Sequence, residues 1–221
     1  MKWCHHGESN NPANPPHKSS SWPARYCDAM GQLKGSERKQ MEAIETERLV
    51  LRRFVQGDAA DLFEYLHQPV ASCFLSLALA DIRDAEREAL ERSTHDASIA
   101  VCLRTSDKLI GDLFAEPEGD TFSVGWNFHP DFGGKGYAHE AATALFIHLF
   151  KKRAARRLYA YVEDTNTSSQ RLCERLGMRQ EGVFMEFISF RNDASGAPIY
   201  ENTMQYALLR HEWLSASRGP K

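Results

Sequence analysis

Three glycines within four residues, Gly133, Gly134 and Gly136, stand between an apolar strand pattern at 121–130 and a helical pattern beginning at Tyr137. No other stretch constrains the fold as much. Glycine tolerates left-handed backbone, so the chain can turn tightly there and gather several N–H groups at one point. A helix N-terminus directly behind adds partial positive charge, and the combination holds phosphate. A plain glycine-rich turn is the competing reading of the same residues.

The segments around this junction read as strands and helices in alternation. Leu49, Leu51 and Phe54 mark a first strand, and Gly57-Asp58 caps a short helix through His67. A second helix at 81–93 turns Ile82, Ala85, Ala89 and Leu90 inward. Strands at 97–104 and 108–115 flank the turn Ser106-Asp107. In the next strand Phe122, Val124, Trp126 and Phe128 share one face, and Gly125 is the expected place for a bulge. The helix after the glycines buries Ala138, Ala141, Ala142, Leu145, Phe146 and Leu149. A strand at 157–162 leads to Asn166, which caps a helix carrying Ser169, Leu172, Cys173 and Leu176 and stopped by Gly177. A broad hairpin, 183–191 and 199–209, ends the pattern. Hairpins at both ends make the sheet mixed rather than doubly wound.

Composition narrows the function. A formal charge of -3 gives no global basicity for nucleic acid or a membrane surface. Lys151-Lys152-Arg153 would suit RNA, but cations closing a helix complement its dipole. The five cysteines are scattered without a CxxC pair, which indicates neither a disulfide framework nor a zinc site and suits a cytoplasmic protein. No apolar run is long enough for a membrane span. Residues 1–40, rich in Pro, Ser and Asn, read as a disordered extension, with 41–215 as the folded domain and 216–221 as a tail. Met41 directly before the first patterned segment suggests translation starting there, and Cys4, His5 and His6 read as adventitious metal ligands.

The order strand, Gly-Gly-Lys-Gly-Tyr-Ala, helix, strand, then the run from Asn166 through Ser169 and Arg171-Leu172 to Leu176-Gly177-Met178 resembles the GNAT superfamily of N-acetyltransferases. Arg48-Leu49-Val50-Leu51-Arg52 and Gln205-Tyr206-Ala207-Leu208-Leu209 are similar to its RimJ/RimL branch, the ribosomal-protein N-terminal acetyltransferases. The resemblance spans about 44–213 and implies an α/β fold of the α+β type. Its mixed, mostly antiparallel sheet would have about six to seven strands, about four flanking helices, and a strand pair splayed at the cofactor site. It implies acetyl-CoA as co-substrate, no metal, and a primary amine as acceptor, either a protein N-terminus or a small molecule, attacked directly in a ternary complex by a monomer or homodimer.

By position, Trp126 and Phe128 would offer backbone groups to pantetheine and the thioester carbonyl. Gly133, Gly134, Lys135, Gly136, Tyr137 and Ala138 would cradle the pyrophosphate, and Asn166 and Ser169 would face the thiol end. The chain departs from the family at three places. Gly133 replaces a Gln or Arg, Ser123 stands where an acidic residue is common, and Cys173 replaces a tyrosine acid. Ser169 and Cys173 therefore compete as general acid, and Glu186 leads His129 and Asp112 as candidate base. A GNAT-like module that binds acyl-CoA with little turnover is the rival reading.

Overall fold

The computed structural model describes residues 42–216. The expectations for 1–40, Met41 and the tail beyond Ala216 lie outside the described residues. Every element below belongs to one compact unit.

Eight strands form one sheet in the order β1-β2-β3-β4-β5-β6-β8-β7. They are β1 (Ile44–Glu45), β2 (Leu49–Arg52), β3 (Ser98–Leu103), β4 (Leu109–Glu118), β5 (Thr121–Phe128), β6 (Arg157–Glu163), β7 (Arg179–Asn192) and β8 (Pro198–Leu209). The helices are α1 (Ala59–Leu66), α2 (Ile82–Thr94), α3 (Tyr137–Lys151), α4 (Thr167–Arg175) and α5 (Arg210–Ala216). All neighbours run antiparallel except β5 and β6, which α3 joins as a crossover. The sheet thus exceeds the expected strand number by β1, whose two residues are too few to show alternation. The short α5 likewise adds a helix to the expected four.

The sheet separates two cores. On one face α3 and α4 pack Ala141, Leu145, Phe146, Leu149 and Cys173 against Phe122, Val124, Leu158, Ala160 and Val162. On the other, α1 and α2 pack Leu62, Tyr65, Leu66, Ala85 and Ala89 against Ala100, Cys102 and Leu109. Alternation along β6 explains the division: Leu158, Ala160 and Val162 face α3, so Tyr159, Tyr161 and Glu163 face the other way.

Three local expectations need correcting. Asp58 is the N-cap residue of α1, as expected, but its side chain makes no cap hydrogen bond; its carboxylate takes Arg52 at 2.8 and 2.9 Å and the Val55 N–H at 2.8 Å. A buried carboxylate gains more from a two-pronged guanidinium than from one amide. In α2, Ile82 and Leu90 are 45% and 54% exposed, and the inner stripe is Ala85, Ala89 and Arg92. Arg92 fills that position because its guanidinium lies 5.3 Å from the Phe54 ring centre and 3.1 Å from buried Asp112. Gly125 is no bulge, since β4 and β5 pair without a shift from Gly111↔Phe128 to Glu118↔Thr121. Glycine is required there by the cross-strand Phe114 ring: a Cβ on Gly125 would stand 2.1 Å from Phe114 Cε1.

Gly125→Ala should therefore destabilise the domain by about 1–3 kcal/mol through overpacking. Adding Phe114→Ala should recover part of that loss, as read by urea unfolding of the single and double variants.

Candidate active site

A notch opens between β5 and β6. Their parallel pairing consists of Thr121↔Arg157, Phe122↔Leu158 and Ser123↔Tyr159 and then stops. Beyond Ser123, β5 stays registered to β4 and β6 to β8, so the two strand ends part. The His129 N–H is taken by Ile110 O on the β4 side. Alternation then directs the backbone groups of Trp126 and Phe128 to the opposite edge, into the notch. The Trp126 indole N–H donates to Ser169 Oγ at 3.1 Å, linking the β5 wall to α4 behind β6. Asn166 caps α4 by accepting the Ser169 N–H at 3.1 Å, which fixes Ser169 at that wall.

β5 reaches the glycine loop through a single 3₁₀ turn, Pro130–Phe132, whose N-cap His129 accepts the Asp131 N–H at 3.1 Å. Gly134 and Gly136 are left-handed, at φ 71° and 82°, and Gly136 is the N-cap of α3. A Cβ on Gly134 would meet nothing within 4 Å, so its glycine is dictated by backbone angle rather than crowding. Tyr137 and Ala138 open α3, where first-turn N–H groups have no partner inside the helix. The Gly133 N–H already donates to Pro130 O at 2.9 Å, and the Lys135 ammonium folds back onto Asp131 O at 2.9 Å.

Arg48 braces this loop from outside. Its Nη1 donates to Lys135 O at 3.0 Å, its guanidinium lies 4.4 Å from the Tyr137 ring centre, and its Nε meets Glu140 at 2.7 Å. Glu140 also accepts Thr46 Oγ1 at 2.6 Å and the Arg48 N–H at 2.9 Å. Burial alone would raise the Glu140 carboxyl, but these donors outweigh it and hold the group below its ordinary range. An open groove of about 490 Å³ shares Gly136 with the loop and runs past Glu140, Thr143 and Arg175.

The candidate acids and bases occupy different surroundings. Ser169 lies at the notch. Cys173 is fully buried in the α3 core, and burial pushes its thiol up to about 12. Asp112 is held by Tyr65 Oη at 2.8 Å and Arg92 at 3.1 Å, and His129 sits 3.6 Å from Glu64 while capping the loop turn. Glu186 is exposed in an irregular stretch of β7 between Phe184 and Ile188. Its backbone is left-handed, φ 46°, and its N–H donates to Asn202 Oδ1 at 2.9 Å. A non-glycine residue in that conformation stores strain that Asn202 helps to hold.

The chain that carries this notch and glycine loop is matched by known proteins. The profile of the Acetyltransferase (GNAT) domain family matches residues 48–179. The chain belongs to the GNAT acetyltransferases. Like other GNAT domains it uses acetyl-CoA and acts on an amine acceptor, and it is an N-acetyltransferase. It is 31% identical over 173 residues to the uncharacterized N-acetyltransferase YnaD of Bacillus subtilis, covering 77% of this chain and 98% of that one. A solved GNAT-family acetyltransferase from Bacillus anthracis superimposes with a TM-score of 0.69 at 28% identity, over 77% of this chain and 99% of that one. The ribosomal-protein-S5-alanine acetyltransferase of Vibrio fischeri shares the fold at 18% identity, with a TM-score of 0.59 over 78% of this chain and 99% of that one. Among the described residues no helix is long and apolar enough to cross a membrane, and no group of three or more His, Cys, Asp or Glu is arranged to hold a metal.

For this GNAT domain, sequence reasoning missed the Thr46, Arg48 and Glu140 brace, which joins residues about ninety positions apart. The only local signal was an acidic residue in the first turn of α3.

The brace gives a pH test. A carboxyl whose folded pKa is depressed contributes stability above its unfolded value, about 4.3, and loses it as pH falls through the folded value. Glu140→Gln should melt lower than the parent at neutral pH, and the gap should shrink below pH ~4 as the parent's Glu140 takes up its proton, the variant having no charge to lose. Thermal melts from pH 7 to 3 read this directly.

Proposed function

We propose that the chain acetylates a primary amine by direct attack in a ternary complex, with acetyl-CoA seated along the notch and the glycine loop. The observation that carries this reading is the end of β5–β6 pairing after Ser123↔Tyr159 beside two left-handed glycines at a helix N-terminus. The residues fit the co-substrate. Trp126 and Phe128 offer backbone groups to an extended amide-bearing arm, and the N–H groups from Gly134 to Ala138 suit a pyrophosphate. Gly136 stands at φ 82°, a conformation a side chain strains, so the cradle needs glycine there.

Acetyl-CoA supplies the activated acyl group; the protein supplies orientation and proton transfer. Ser169 Oγ accepts from Trp126, which leaves its O–H free to protonate a departing thiolate at the same wall. Cys173 serves packing. Glu186, directly or through water, takes the proton from the attacking amine. An alkyl ammonium, with a pKa of about 10.4, needs such a base more than an α-amino group at about 7.7 to 8.0. Both a protein N-terminus and a small-molecule amine satisfy this mechanism. The RimJ/RimL-like segments at Arg48 and Gln205 and a cytoplasmic site of action belong to the same reading.

Gly136→Glu puts a carboxylate and a strained backbone into the cradle. It should lower acetyl-CoA affinity at least about tenfold in calorimetry while the circular-dichroism spectrum is retained. Unchanged affinity would place the pyrophosphate elsewhere. Ser169→Ala should lower kcat for amine-dependent thiol release by about 10²-fold or more with little change in KM for acetyl-CoA. Unaltered kcat would remove Ser169 as the acid.

A further inference from the structure

The sheet face opposite α3 carries a row of groups that the loop and notch do not use. Glu163, the last residue of β6, is opposite Thr203 on β8, and Thr203 is opposite Phe184 on β7. Opposed residues of antiparallel strands point to one face, so this row crosses three strands. Glu201 lies two residues further along β8 on the same face, about 7 Å away. Because β6 has no β5 partner after Tyr159, Glu163 stands at the open end of the notch.

The row is acidic, buried and short of partners. Glu163, Glu201 and Thr203 are 7%, 8% and 4% exposed. Ser72 Oγ donates to Glu201 Oε2 at 2.5 Å, but Glu201 Oε1 and Thr203 Oγ1 are buried without a hydrogen bond among the described residues. Among the described residues, Glu163 has no cationic partner within salt-bridge distance. Glu201 has, among these residues, only Arg191, 3.7 Å away on a side chain 58% exposed. Burial, then Glu163 and Glu201, push the neighbouring Cys73 thiol well up, which places both carboxylates near one point. Two buried carboxylates with one distant cation are costly unless something positive joins them. Beside them Tyr161, Phe184 and Phe187 are about 40% exposed, with ring centres 5.0–6.1 Å apart. Such rings pack methylene chains and attract ammonium groups.

We propose that this row is the acceptor pocket and that it selects an aliphatic diamine or polyamine. Glu201 Oε1 and Thr203 Oγ1 hold the non-reacting ammonium, Tyr161 and Phe184 pack the alkyl chain, and the other nitrogen enters the notch past Glu163. The assignment rests on acetyl transfer in that notch. It narrows the acceptor from any primary amine to one carrying a second, separated cation.

Calorimetric titration of the full chain with CoA present should give 1,4-diaminobutane at least about tenfold tighter binding than butylamine, the scale of a hydrogen bond to a charged group. Glu201→Gln should abolish that preference while acetyl-CoA affinity and the circular-dichroism spectrum stay as in the parent. Thr203→Val, a smaller change, should reduce it in the same direction and guards against a folding defect in the first variant. Equal affinity of the parent for the two amines, or a preference that survives Glu201→Gln, would overturn the pocket. So would a neutral-side-chain tripeptide with a higher kcat/KM than the diamine in thiol release. If the preference holds but no amine releases thiol, the pocket stands and the transfer reading fails; thiol release from butylamine and diamine alike with no preference does the reverse.

Discussion

The parallel contact between β5 and β6 governs the rest of the molecule because it cannot be extended. β5 is committed along its length to β4, and β6 along its length to β8, in continuous registers of eight and seven residue pairs. Each strand is anchored on its outer side, so the two can diverge on the inner side without loosening the sheet. The divergence leaves backbone N–H and C=O groups on the inner edge without a strand partner. Each would cost about 1–3 kcal/mol if kept dry and unbonded. Water or an extended amide-containing ligand must serve them, and a pantetheine arm has that character.

The glycine loop adds the second half of the site and is held by interactions distant in sequence. Arg48 and Thr46, next to β2, grip Glu140 in the first turn of α3, and Arg48 also caps the Lys135 carbonyl. Partial positive charge at the N-terminus of α3 thus has an anionic side chain tied down to one side of the loop. The left-handed Gly134 and Gly136 carry the chain round in a conformation that residues with a Cβ rarely adopt. Rigidity here favours binding because less ordering is left for the ligand to cost.

Much of this was legible in the sequence for physical reasons. Asn166 ahead of Ser169 and Leu172 signalled a capped amphipathic helix, and the structure shows that cap as a hydrogen bond. The glycine junction and the α3 stripe were equally plain, since helix periodicity and left-handed backbone are local properties. Long-range relations were not visible. Gly125 looked like a bulge because a lone glycine in a strand usually marks one, whereas its reason was Phe114 on the neighbouring strand. Ile82 and Leu90 looked buried because they are apolar, yet the burial went to Arg92, which only its partners Asp112 and Phe54 could explain. The acidic row of Glu163, Glu201 and Thr203 is assembled by pairing β6 with β8, two strands far apart in the chain, and no motif announces it.

The account stands on one spatial claim, that a single ligand occupies the notch and the glycine loop together. Amide hydrogen exchange with and without CoA measures that claim most directly. The account predicts new protection in two separated segments at once, Trp126 to Phe128 and Gly134 to Ala138, with little change at Asp112, Arg92 and the α2 face. Protection confined to one of the two segments, or centred on the α1–α2 face, would contradict it.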